Sequence, residues 1–74
     1  MNLKQLPYFI AIAETGSLSA AARQAEVSQP AISGYLQDLE RELGTPLFVR
    51  SHRRMVPTEA GTVYLDMARQ VLDL

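Results

Sequence analysis

Between Val27 and Gly44 the chain reads VSQPAISGYLQDLERELG, a helix with both of its ends marked. Ser28 is a natural N-cap, its hydroxyl oxygen able to accept from a first-turn N–H. Gln29 and Pro30 follow as the first two helical residues, where proline is tolerated because those positions lack intrahelical N–H partners. Ile32, Leu36, Leu39 and Leu43 recur at i, i+4, i+7 and i+11, a stripe that must be buried. Gly44 ends the helix and Pro46 blocks its restart. The opposite face carries Gln29, Ser33 and Gln37, with Pro30 and Gly34 beside them. A solvated face more usually carries Lys and Glu; small and amide side chains suit hydrogen bonding to base edges. Gly34 weakens the helix by about 1 kcal/mol relative to alanine. It is either a tolerated surface glycine or a place where an outside molecule comes close.

The rest of the chain must give that stripe a body to pack on, and there is little of it. A 74-residue domain buries only about 60% of its unfolded surface, so stability is marginal without help. With no cysteine and one histidine, disulfides and a zinc-type site are excluded, which leaves a partner chain as the support. The cysteine-free composition suits the cytoplasm. No apolar run reaches membrane-spanning length. The N-terminal MNLKQLPYFIAIAE contains one lysine and an internal glutamate, and reads as an amphipathic helix rather than a leader.

The spacing predicts a first helix over Leu3 to Glu14, with Leu6, Phe9, Ile10 and Ala13 on one face and Asn2 as cap. Pro7 delays its regular hydrogen bonding. Gly16 stands where a C-cap belongs, and Ser17 caps a short second helix, Leu18 to Ala25, whose alanines allow close approach. After a turn at Glu26–Val27 comes the third helix. PLFVRSHRRMVPT then gives two short extended pieces, Leu47–Arg50 and Met55–Pro57, around a basic tip at Ser51 to Arg54: a hairpin. Thr58 caps a last helix, Glu59 to at least Leu74.

The net charge of −1 argues at first against nucleic acid, but its distribution does not. Both flanks are acidic, whereas residues 45–58 carry Arg50, Arg53 and Arg54 with no acid, and His52 lies between them. Basic charge concentrated on one short segment is an anion-binding feature. The last helix is apolar nearly all round, with polarity confined to Thr62, Asp66, Arg69, Gln70 and Asp73. One small core cannot cover it. A second copy of the helix is implied, paired through Val63, Tyr64, Met67, Val71 and Leu74. The chain ends without a helix-stopping signal, as an excised domain would. Ser28 and Ser33 have no histidine or acid arranged to activate them, and His52 has no acidic neighbour in sequence, so no catalytic residues are expected and the chain is not read as an enzyme.

Helix, short helix, turn, helix, hairpin, long helix is a winged helix-turn-helix arrangement, mostly α, with a three-helix core. YFIAIAETGSLSAAARQAEVSQPAIS, LERELGTPLFVR and PTEAG, in this order and spacing, resemble the N-terminal DNA-binding domain of LysR-type transcriptional regulators over essentially the whole chain. The resemblance implies a DNA-binding domain over residues 1–58 and, over 59–74, the start of a linker helix that dimerises. It also implies an effector domain beyond this chain, which would take the small-molecule effector. Full-length tetramers, a bacterial cytoplasmic location at the nucleoid, and no cofactor in this domain follow from it too. The third helix would enter the major groove of double-stranded DNA, with the wing on minor groove or backbone.

Carried over by position, Gln29, Pro30 and Ser33 match base-reading residues, with Gly34 and Gln37 on the same face. Gln29 would pair with adenine and Pro30 pack on a thymine methyl. Arg50, His52, Arg53 and Arg54 would hold phosphate or a narrow minor groove, and Ser17, Ser19 and Ser28 would face phosphates. Gly34 departs from the arginine or long polar residue common there, and Tyr35 and Asp38 also depart. Glycine at a reading position and the overall acidity leave a second class open, a winged helix that binds protein and not DNA.

Overall fold

The structure, a computed structural model, describes residues 2–73. Asn2 accepts a hydrogen bond from the Lys4 N–H (2.9 Å) and opens a single 3-10 turn, Leu3–Gln5. Helix α1, Leu6–Thr15, starts only there, because Pro7 in its first turn has no N–H to give. Gly16 closes it at φ +68°, donating to the Ile12 carbonyl (2.9 Å). Ser17 accepts from the Ala20 N–H (3.1 Å) and starts α2, Leu18–Ala25. Ala21 and Ala22 are buried, so their small side chains let α2 lie close against α1. The connection to α3 turns through Glu26 in the left-handed region (φ 59°), whose N–H and that of Val27 satisfy the last carbonyls of α2.

Helix α3 runs Gln29–Leu43 from the Ser28 cap to Gly44. Strands β1 (Phe48–Ser51) and β2 (Arg54–Pro57) pair antiparallel, with Phe48 opposite Pro57 and Ser51 opposite Arg54. Each strand reaches one residue nearer the tip than the pattern predicts, because the turn takes only two residues. Thr58 accepts from the Gly61 N–H (3.0 Å) and begins α4, Glu59–Leu72. Leu74 lies outside the described residues, so the pairing role expected of it is not addressed by the fold. The assembly is the winged helix-turn-helix that the order of elements predicts. Among the described residues no helix is long and apolar enough to cross a membrane.

The core is built around Phe9, whose ring lies 4.9 Å from that of Phe48 and 4.6 Å from that of Tyr64. Helix α1 packs against α2, α4 and β2, so its buried arc is wider than one stripe. Ala11 and Ile12 are buried with Leu6 and Phe9, while Ile10 and Ala13, expected on the core face, are only partly covered. Three further expectations change. Leu43 is 40% exposed, because it lines an open apolar groove and not the closed core. Tyr35 is buried, edge-on to Tyr8 with ring centroids 5.6 Å apart, so it is a core residue and not an altered surface position. Tyr64, expected between protomers, packs its ring against Phe9 and leaves only a 7% exposed surface, on the wall of a groove beside the last helix.

The Tyr35 hydroxyl is buried near that of Tyr64, yet no atom of the described residues completes a hydrogen bond to it. Burial, reinforced by Tyr64, pushes the Tyr35 pKa above its ordinary value of 10.0. Burial raises that of Tyr64 as well.

Candidate nucleic-acid interface

The leading edge of α3 is open. Ser28, Gln29, Pro30 and Gln37 are exposed, and Ser33 and Gly34 are partly so. Burial of Ile32, Tyr35, Leu36 and Leu39 fixes the roll of the helix and turns Gln29, Ser33 and Gln37 outward as one row. Gly34 has no atom within 4 Å of the position a Cβ would take. The Ser28 Oγ accepts from the Ala31 N–H (3.2 Å), so its hydroxyl proton remains to donate elsewhere. Asp38, the acid nearest this row, is held by Arg41 at 2.9 Å across one turn, which reduces its repulsion of an anion. Ser17 uses its Oγ as a cap and is partly covered, while Ser19 is exposed.

At the wing, His52 and Arg53 form the whole turn, at φ 52° and 66°. Two consecutive left-handed residues make a type I′ turn, the kind whose twist matches a two-residue hairpin. Asn-Gly is the usual sequence there. A side chain in that region costs on the order of 1 kcal/mol, so this tip trades stability for two large side chains at its end. Arg50, His52, Arg53 and Arg54 are all exposed, and among the described residues neither Arg50 nor Arg53 has an ion-pair partner. Arg54 is placed differently. Its Nη1 donates to the Thr15 carbonyl at 3.3 Å, and its side chain lies over Gly16.

Glu40 is the residue that sequence reasoning missed. Its Oε2 accepts from the Leu47 N–H (2.6 Å) and the Phe48 N–H (3.3 Å), which fastens the start of β1 to α3. Thr58 closes the other end of the hairpin: its N–H donates to the Leu47 carbonyl (3.0 Å) and its hydroxyl to the Pro46 carbonyl (2.8 Å). The LERELG and PTEAG segments thereby set the wing's position relative to α3. A glutamate in the last turn of α3 gives no sequence signal of such a contact.

On the far side, an apolar groove of about 820 Å³ runs beside α4, lined by Leu43, Pro46, Leu47, Ala60, Val63 and Met67. Val63 is 67% exposed, and Met67 and Val71 are partly covered. Among the described residues, no three His, Cys, Asp or Glu side chains gather as metal ligands would.

Comparison with known proteins agrees with this geometry. Residues 3–62 match the profile of the bacterial regulatory helix-turn-helix protein, lysR family. The HTH-type transcriptional regulator ClcR of Pseudomonas putida is 50% identical over 72 residues, covering 97% of this chain and 24% of ClcR. TcbR of Pseudomonas sp. (strain P51) is 49% identical over 74 residues, covering 100% of this chain and 25% of TcbR. The chain thus spans about a quarter of the length of the curated relatives it matches. Among solved structures, that of the CbnR DNA-binding domain in complex with DNA has a TM-score of 0.90 at 48% identity, covering 99% of this chain and 84% of that one. The BenM DNA-binding domain in complex with catB site 1 DNA has a TM-score of 0.91 at 36% identity, covering 99% and 81%. The chain belongs to the LysR family of bacterial regulatory helix-turn-helix proteins.

Proposed function

We propose that this chain is the sequence-specific, double-stranded-DNA-binding segment of a transcriptional regulator, and that it works as a pair. The observation that carries the reading is the open, uncharged edge of α3 together with exposed wing arginines, of which Arg50 and Arg53 have no ion-pair partner among the described residues, on a body that is otherwise mildly acidic. Gln29, Ser33 and Gln37 are the polar row offered to base edges in a major groove, with Pro30 and Gly34 allowing close approach. Arg50, His52 and Arg53 grip phosphate or a narrow minor groove, and Ser19 and Ser28 add hydroxyl donors to the backbone. The first-turn N–H groups of α3 contribute the positive end of a helix.

The groove beside α4 and the exposed Val63 supply the surface for a second copy, with Met67 and Val71 along the same flank. Tyr64 packs on Phe9 and gives its remaining surface to the wall of the same groove. Two such copies present two α3 edges to pseudo-palindromic half-sites about one duplex turn apart, or a multiple of it. Effector control and higher assembly belong to the longer protein, which acts in the bacterial cytoplasm at the nucleoid. A winged helix that binds only protein fits less well, because similar solved structures, the CbnR and BenM DNA-binding domains, are complexes with DNA.

Selection from a random pool of duplexes with the purified chain tests the reading. Enriched sites should show two related half-sites, and Gln29→Ala should relax preference at one base pair in each, by about 1–3 kcal/mol. Recovery of no preferred sequence would refute sequence-specific binding. An unchanged site preference in Gln29→Ala would remove Gln29 from base reading.

A further inference from the structure

The three wing arginines do not share one role. Arg54 closes the hairpin opposite Ser51 and is the residue next to the tip. Its guanidinium meets the Thr15 carbonyl at 3.3 Å, at the negative end of α1, where a cation is favoured. Its Cζ, Cγ and Nε lie 2.6, 2.7 and 2.8 Å from where a Cβ on Gly16 would sit, so the side chain lies flat on the backbone of that glycine. The next residue, Met55, donates its N–H to the Gly16 carbonyl (2.9 Å). Two consecutive residues of β2 are thus tied to the turn between α1 and α2, the turn that also starts the helix-turn-helix. Glu14, one residue before Thr15, faces Arg69 of α4 at 3.7 Å, so the same helix end also touches the dimer-side element.

We propose that Arg54 is a positioning residue: it acts as a strut that holds the wing against the end of α1 and thereby aims Arg53, and it does not contact the DNA backbone itself. This rests on the DNA-binding reading above. Without the strut the hairpin keeps its base, pinned by Glu40 and Thr58, but its tip gains freedom. Gly16 is then required twice, for its left-handed backbone and for the space the arginine occupies.

The test uses the 74-residue chain with Arg54→Met, Arg54→Lys and Arg53→Ala. In the free protein, Arg54→Met should speed exchange of the Met55 amide about fivefold, as expected for the loss of one modest contact. Arg53→Ala should leave that rate alone, and Arg54→Lys should recover part of the protection. On a selected duplex, Arg54→Met should weaken binding severalfold while the slope of log K against log salt stays unchanged. Arg53→Ala should lower that slope by roughly 0.9, the signature of one lost phosphate contact. An unchanged Met55 rate in Arg54→Met, or a slope that falls as it does for Arg53→Ala, would overturn the strut. If the unaltered chain binds no duplex, the functional reading fails, and the exchange rates alone decide whether Arg54 tethers the wing.

Discussion

Replacing Gly34 with alanine separates what the helix wants from what a bound duplex wants. Gly34 lies inside α3, its backbone is helical, and nothing stands within 4 Å of the added methyl. The free protein therefore meets no clash. It gains the helix propensity of alanine and loses some freedom of the unfolded chain, together about 0.5–1 kcal/mol. For a domain of this size that is a rise in Tm of about 2–8 °C. In the proposed DNA complex the same methyl would occupy the space through which the helix approaches base edges. Overpacking of a close interface costs about 1–3 kcal/mol, roughly a 5- to 150-fold loss of affinity. Thermal melts by circular dichroism and anisotropy titrations on one selected duplex at fixed salt read the two effects. A Tm that does not rise would refute the account of an open helical glycine. A risen Tm with unchanged affinity would refute the close approach and leave Gly34 an ordinary surface residue.

Gly61→Ala should behave in the opposite way. Its methyl would run into the Leu47 carbonyl oxygen and lie 3.0 Å from the Leu47 carbonyl carbon and 3.3 Å from the Pro57 Cβ, so backbone must move. We expect a loss of about 2–4 kcal/mol in urea unfolding, from overpacking plus the Thr58–Leu47 hydrogen bond, and a change under about 0.5 kcal/mol would contradict it. Val63→Asp should leave the fold intact because the side chain is mostly exposed, yet abolish self-association; sedimentation that still reports dimers would take Val63 out of the pairing surface. Tyr35 and Tyr64 make stability depend on alkali. Their folded pKa values are raised, so the stabilisation is whole below about pH 10 and is lost as pH climbs through the folded values. Tyr35→Phe should be near neutral at pH 7, since it removes a buried hydroxyl lacking a partner, and should flatten the decline above pH 10. Unfolding midpoints from pH 7 to 11 that fall equally in both proteins would contradict the assignment.

Helix ends were legible in the sequence wherever a side chain caps them. Ser17, Ser28 and Thr58 each accept from the N–H three residues on, and α2 and α3 begin where those residues predict. Periodicity located faces less well. Tyr35 sits beside the Ile32–Leu39 stripe and enters the core because Tyr8 and Tyr64 reach across to it, a fact of packing that spacing does not carry. Leu43 continues the stripe in register but stays on an open groove wall, and Tyr64 fits a coiled-coil spacing while its ring packs on Phe9. The row Gln29, Ser33, Gln37 was readable because it is defined by what α3 buries on its other side. The separate placement of Arg54, and Glu40's hold on β1, were not readable, since both are long-range contacts of residues that look solvated in sequence.

The hairpin's ends are pinned to the body at Glu40 and Thr58, and Arg54 and Met55, just behind its two-residue tip, are tied to the turn between α1 and α2. Only the part beyond those ties, at His52 and Arg53, is free to lengthen over evolutionary time. Adding two residues to each strand would extend the arm by roughly 7 Å and return the tip to the same side of the ribbon, whereas adding one to each would turn it over. Descendants of one ancestral body could in this way span broader or narrower operators by changing an even count of residues per strand, with the helical scaffold left as it is.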